Sequence, residues 1–169
     1  AVIAEYDFVN NDGVTSNQAG DVSTQHNHGT NVLSVIAGYL PDTLIGLAFN
    51  SEFVLAKTED IPTETHVEED NYAAALQWFD SLGVDVTNSS VGYNEFDSGQ
   101  FSYTYSDMNG STAIVTQAEN LAFTRGIVTV TSAGNEGNNS WYYINAPADA
   151  FNTISVGAAF PSRTLTSYS

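Results

Sequence analysis

The chain has 169 residues, 42% of them hydrophobic, which is enough for one domain with a sizeable core and too apolar for a disordered segment. Its 20 acidic residues face only Lys57, Arg125 and Arg163, and the net charge of -17 argues against nucleic acid or an anionic membrane as partner. There is no cysteine, no apolar run reaches the ~18 residues that span a bilayer, and no signal peptide is visible; the charge suits solubility, salty surroundings or cation binding.

In chain order, Val2 to Tyr6 predicts a short strand, and residues 7 to 27 a long polar loop rich in Asn, Asp, Gly and Ser. Loops of that length are functional or poorly ordered. Gly29 to Ala37 carries Val32, Val35 and Ile36 at helical spacing, with Gly38 as the stop. Phe53 to Lys57 is a strand, and residues 58 to 68 an acidic, Thr-rich loop. Glu69 to Leu82 reads as an amphipathic helix with Tyr72, Leu76 and Phe79 on one face, ended by Gly83. A strand follows at Val84 to Ser90, then a Tyr-, Ser- and Asp-rich insertion at 93 to 110. Thr112 to Phe123 is a helix with Ile114, Ala118, Leu121 and Ala122 inward, before strands at Ile127 to Thr131 and Thr153 to Ala158. Strands alternating with helices of this length predict an α/β fold whose sheet is mostly parallel and covered by helices on both faces. No repeat and no second domain is visible. Both ends are abrupt, so the sequence is expected to be a piece of a longer protein.

Two residues stand out for their chemistry. Asn135, in Thr131-Ser132-Ala133-Gly134-Asn135-Glu136-Gly137, follows an apolar strand. Open α/β folds keep ligands at the carboxyl ends of strands, and an amide NH2 there suits a developing oxyanion. An Asn in an ordinary left-handed turn is the bland alternative. His28 precedes Gly29-Thr30 at a helix start, where the positive dipole end disfavours imidazolium and leaves the neutral ring a general base needs. His26 and His66 read as solvated loop residues, and Glu68-Glu69-Asp70 and Asp107 to Gly110 as solvated faces or turns. Ser89-Ser90-Val91-Gly92 ends another strand, either as a plain turn or as an edge that pairs with an extended peptide.

His28-Gly29-Thr30-Asn31-Val32, then Gly83 through Gly92, then Gly126 through Gly137, resembles the subtilisin-like serine proteases, the subtilases of peptidase family S8. Ala146-Pro147-Ala148, Thr153 to Ala158 and Thr166-Ser167-Tyr168-Ser169 continue the likeness in family order along nearly the whole chain. The resemblance implies a subtilisin-like three-layer α/β fold, incomplete at both ends, with residues 1 to 169 forming part of the catalytic domain. It implies His28 as general base and Asn135 as oxyanion donor. Ser90, Val91 and Gly92 would bind substrate backbone, and Ala133 and Gly134 would wall the first specificity pocket.

The family's acid sits in an Asp-Thr-Gly or Asp-Ser-Gly motif ending an upstream strand, and its serine in a downstream Gly-Thr-Ser-Met-Ala helix start; neither motif occurs here. The resemblance therefore implies a serine endopeptidase parent whose missing remainder supplies both groups, with the 169-residue chain inactive by itself. Tyr6-Asp7-Phe8-Val9-Asn10-Asn11-Asp12 resembles the loop that binds calcium in thermitase-like members, with Asp7 and Asp12 as carboxylate ligands and Asn10 as a main-chain carbonyl ligand to a structural Ca2+. An acidic solvated loop is the competing reading. An extended peptide or protein substrate and a secreted or extracellular location are implied. A catalytically dead, protease-like binding module and a calcium-binding structural domain are the other functional classes.

Overall fold

Parallel pairing of short strands organises both halves of the computed structural model, which describes residues 1–169. The chain divides into two compact units, Ala1–Thr63 and Glu64–Ser169.

In the first unit, β1 (Val2–Asp7) lies parallel to β4 (Phe53–Lys57), with Asp7 directly opposite Lys57. Between them come α1 (Asn27–Ala37) and a small antiparallel pair, β2 (Tyr39–Leu40) and β3 (Leu44–Ile45), which the sequence pattern did not disclose. The helix stops where expected, the Gly38 N–H closing on the Ser34 carbonyl at 2.9 Å. No residue of α1 is fully buried, and Val35 is exposed.

The second unit carries α2 (His66–Leu82), β5 (Val86–Ser89), a 3-10 turn at Tyr105–Asp107, α3 (Ile114–Thr124), β6 (Val128–Ser132) and β7 (Ile154–Val156). The strands form a parallel sheet in the order β5-β6-β7. The parallel α/β class is as expected, while the longest predicted strands are trimmed at both ends.

The helix α2 starts three residues before the expected Glu69, because Glu68 reaches back to accept the Thr65 N–H at 2.9 Å. It ends on Gly83, whose φ of 75° lets the chain turn as Val84 donates to the Phe79 carbonyl at 3.1 Å. Tyr72 and Leu76 are buried and Phe79 packs on the same core, as its periodicity predicts. That core gathers Tyr72, Leu76, Tyr93, Tyr103, Val115 and Ile127 among others.

The face of α3 is a correction. It buries Val115, Thr116, Glu119 and Ala122, whereas Ile114 and Leu121 are exposed. The sheet surface below explains the rotation. Thr87, Thr129 and Thr131 are buried on one face, and Glu119 of α3 accepts the Thr131 hydroxyl there, so this side of the helix and not its most apolar stripe faces the sheet. The opposite face of the three strands leaves Val86, Val128, Ile154 and Val156 exposed.

Candidate active site

β5 and β6 run side by side in register, Ser89 opposite Thr131, so both chains leave the sheet at the same level. Ser90, Val91 and Gly92 leave from β5; Ala133, Gly134 and Asn135 leave from β6. A cleft of about 260 Å³ opens at these carboxyl ends, lined by Ser90, Ser132, Gly134 and Asn135 and closed on the β7 side by Gly157 and Ala158. This is the position at which open parallel sheets bind ligands.

Both segments rest on one side chain. Asn145 is buried, and a Cβ added at Gly92 would come within 3.1 Å of its Cβ, one added at Gly134 within 3.2 Å of its Nδ2. Gly134 also has a φ of 103°, a conformation that favours glycine. Backbone bonds fix the same junction: Tyr93 N–H donates to Ala146 O at 2.8 Å, and Asn145 N–H to Ala133 O at 3.3 Å. The Ser90–Gly92 and Ala133–Asn135 segments are thus held together by close packing that larger residues would break. The Asn135 carboxamide is exposed and makes no hydrogen bond inside the chain, which leaves its NH2 free to donate to a bound group.

His28 lies in the first turn of α1, in the Ala1–Thr63 unit, with an exposed ring that makes no hydrogen bond. It stands at a helix start as the sequence predicts.

The carboxylates of the 7–27 loop are turned to protein donors. Asp7 is fully buried, accepting from the Val9 and Asn10 N–H groups at 2.8 and 3.0 Å, from Asn10 Nδ2 at 3.1 Å and from Lys57 Nζ at 2.8 Å. Lys57 bonds Asp21 as well, at 2.9 Å. Burial alone would raise the Asp7 carboxyl pKa, but the Lys57 ammonium and the Asn10 and Val9 donors together hold it below the usual carboxylate range. Asp12 instead accepts from Val14 N–H and Gln18 Nε2. A calcium ion needs several oxygens converging on one point. Here an ammonium stands between Asp7 and Asp21, and no three His, Asp or Glu side chains gather to hold a metal. This donor arrangement does not fit Ca2+.

Two further clusters escaped sequence reasoning. His66, read as a solvated loop residue, opens α2 with its ring between Phe96 and Phe101, the centroids 3.8 and 4.1 Å away. Its Nδ1 lies 2.5 Å from Glu69 Oε2, and Tyr103 OH donates to both Glu69 oxygens at 2.9 Å. Glu68 and Glu69, expected on a solvated face, are buried. The Thr65-x-x-Glu68 capping pattern was the available signal, since it moves the helix start back to include His66. The second cluster is Glu119 with Tyr72 and Thr131, all buried. Burial, chiefly, raises the Glu119 carboxyl pKa, although the Thr131 and Tyr72 hydroxyls oppose it; burial and the Glu119 charge push the Tyr72 phenol well up.

The model of the Subtilase family matches residues 3–169. An alkaline protease of Alkalihalobacillus alcalophilus is 29% identical over 170 residues, covering 99% of this chain and 40% of that protein. Subtilisin BL of Lederbergia lenta is 28% identical, with 99% and 56% covered. The chain therefore spans about half the length of these curated relatives. In fold it is similar to MycP1 with its N-terminal propeptide removed, at a TM-score of 0.65 and 19% identity, covering 99% of this chain and 54% of that one. The family motifs stand in order along nearly all of the sequence, on a parallel α/β fold with a cleft at its strand ends: the chain belongs to the subtilase family.

Proposed function

We propose that this chain is the central part of the catalytic domain of a subtilisin-type serine endopeptidase, acting outside the cell on extended peptide or protein substrates. The observation that carries the reading is the cleft where Ser90–Gly92 and an unengaged Asn135 carboxamide meet at the ends of two adjacent parallel strands. The nucleophilic serine and the triad aspartate come from the remainder of the parent protein. Serine attacks the substrate carbonyl while His28 accepts its proton and later returns it to the leaving amine. Asn135 donates to the oxyanion of the tetrahedral intermediate. The main chain of Ser90–Gly92 pairs with the substrate backbone, and Ala133 and Gly134 wall the first specificity pocket.

The test is peptide hydrolysis by the full-length parent. His28→Ala is expected to abolish triad-dependent turnover. Asn135→Ala should lower kcat by ~10²–10³, the ~2.7–4 kcal/mol known for the oxyanion amide of subtilisin and taken over from it. The 169-residue chain alone should be inactive. Wild-type turnover in the Asn135→Ala parent, or cleavage by the isolated chain that a serine-directed phosphonate blocks, overturns the assignment.

A further inference from the structure

The carboxyl group of Glu119 lies on α3, 1% exposed, under the two strands from which the peptide-binding segments emerge. Its Oε1 accepts the Tyr72 hydroxyl of α2 at 2.7 Å and the Thr131 hydroxyl of β6 at 2.5 Å. The Tyr72 oxygen is also 2.7 Å from Ser89 Oγ, on β5. Ser89 and Thr131 are the register pair at the top of the sheet, one residue before Ser90 and two before Ala133. Thr153, just ahead of β7, donates to Thr131 Oγ1 at 3.3 Å and to the Thr129 carbonyl at 3.2 Å. One buried carboxyl thus ties two helices to the ends of two strands.

Three features distinguish this arrangement from generic core packing. A buried acid is costly to desolvate, a penalty that a wholly apolar packing of the same space would avoid. Glu119 Oε2 makes no hydrogen bond, so the group is not there to maximise pairing. The residues it reaches, directly or through Tyr72, lie at the roots of Ser90–Gly92 and of Ala133–Asn135, whose tips share Asn145 as their floor.

We propose that Glu119 is a positioning residue for the peptide-binding cleft: through Tyr72–Ser89 and through Thr131 it fixes the ends of β5 and β6 to the helical layer, and so holds the substrate segment and the Asn135 amide at one spacing. The assignment rests on the peptidase reading for its consequence, though not for its geometry. A shift of about 1 Å in such a site costs on the order of 10²-fold in rate.

The experiment compares Glu119→Leu and Glu119→Gln in the full-length parent by amide hydrogen exchange, urea unfolding and peptide hydrolysis. Glu119→Leu leaves the buried Tyr72 and Thr131 hydroxyls without their acceptor and should lower the unfolding midpoint modestly while the chain stays folded. It should speed exchange at residues 90–92 and 133–135 by about tenfold, since that exchange reports local opening. It should lower kcat/KM by about tenfold or more, mostly through kcat. Glu119→Gln keeps an acceptor at Oε1 and should restore exchange and kcat to within about threefold of wild type. Exchange in both segments unchanged by Glu119→Leu overturns the proposal, as does a rate loss that only tracks lost stability. Tyr72→Phe, which cuts the Ser89 arm alone, serves if the leucine variant fails to fold: it should loosen residues 90–92 more than 133–135, and equal protection in both refutes the two-arm arrangement. If the wild-type parent cleaves no peptide while exchange responds as stated, the peptidase reading falls and the positioning role stands.

Discussion

Tyr103→Phe removes the one hydroxyl by which the insertion at 93–110 reaches Glu69 of α2 and leaves the ring in place. That hydroxyl donates to both oxygens of Glu69 at 2.9 Å, and both residues are buried. Burial, reinforced by Glu69, pushes the Tyr103 phenol pKa far up, so it remains a donor over the whole working range. A hydrogen bond to a charged group contributes about 1.5–3 kcal/mol, and stripping a buried acceptor of a partner forfeits most of it. Glu69 keeps His66 Nδ1 at 2.5 Å, which favours the lower half of that range, near 2 kcal/mol. For a chain of this size, about 2–4 °C of Tm per kcal/mol makes the expected loss about 4–8 °C. Urea unfolding followed by tryptophan fluorescence is the assay, because Trp141 packs against the same core. Glu69→Leu made together with Tyr103→Phe should cost less than the sum of the single changes by about 1–2 kcal/mol, because no buried carboxyl is then left short of a donor. A Tyr103→Phe loss under about 0.5 kcal/mol, or simple additivity, would refute this account of how the insertion is pinned beside Ser90–Gly92.

Three other outcomes follow from the buried acids. The folded state raises the Glu119 pKa, so it holds a proton that the unfolded chain releases at lower pH. The contribution of this group is fully present below the ordinary carboxyl range and is lost as pH rises through the raised value; Glu119→Gln should flatten that part of a stability-versus-pH curve, and an unchanged slope would count against it. In the 7–27 loop, millimolar Ca2+ should leave the Tm of the wild-type chain where it is, since Lys57 already binds Asp7 and Asp21. Lys57→Gln should lower Tm by stripping the buried Asp7 of its counter-charge, and a calcium-dependent rise in wild type would show that the loop rearranges around the ion.

Where the sequence was legible, the reason is local. The apolar run Ile127 to Val130 ending in Ala-Gly-Asn, the helical spacing of Tyr72, Leu76 and Phe79, and the Gly83 stop each depend on a few neighbouring residues, and the structure keeps them. The resemblance puts Asn135 beside Ser90–Gly92, and the register of β5 and β6, whose ends leave the sheet together, delivers both segments to one cleft. What could not be read depends on partners far along the chain. The face that α3 buries includes Glu119, whose partners Thr131 and Tyr72 lie on β6 and α2, so the exposed Ile114 and Leu121 mislead any reading that sends the apolar stripe inward. The stacking of His66 depends on Phe96 and Phe101, some thirty residues away. Whether an acidic loop holds calcium or an ammonium turns on Lys57, brought to Asp7 only by the β1–β4 register.

The scarcity of basic residues explains why so many buried acids find hydroxyl or amide donors. Of the three, Lys57 serves Asp7 and Asp21, while Arg125 and Arg163 are exposed. Glu69 therefore takes Tyr103 and Glu119 takes Tyr72 and Thr131, while the half-buried Asp149 takes Thr116 Oγ1 at 2.6 Å and the Gly110 N–H at 2.8 Å. Such neutral donors are insensitive to ionic strength, so added salt has little favourable pairing to weaken. The remaining surface charge repels itself at a net -17, and that repulsion is screened as the Debye length falls from ~30 Å at 0.01 M to ~3 Å at 1 M. Thermal stability should therefore rise steadily with sodium chloride over this range, and the rise should be larger at pH 8 than at pH 4, where carboxylates begin to protonate. A Tm that falls with salt at neutral pH would mean that ion pairs outweigh repulsion, and that the hydroxyl-for-cation exchange seen around Glu69 and Glu119 is not what keeps these acids buried.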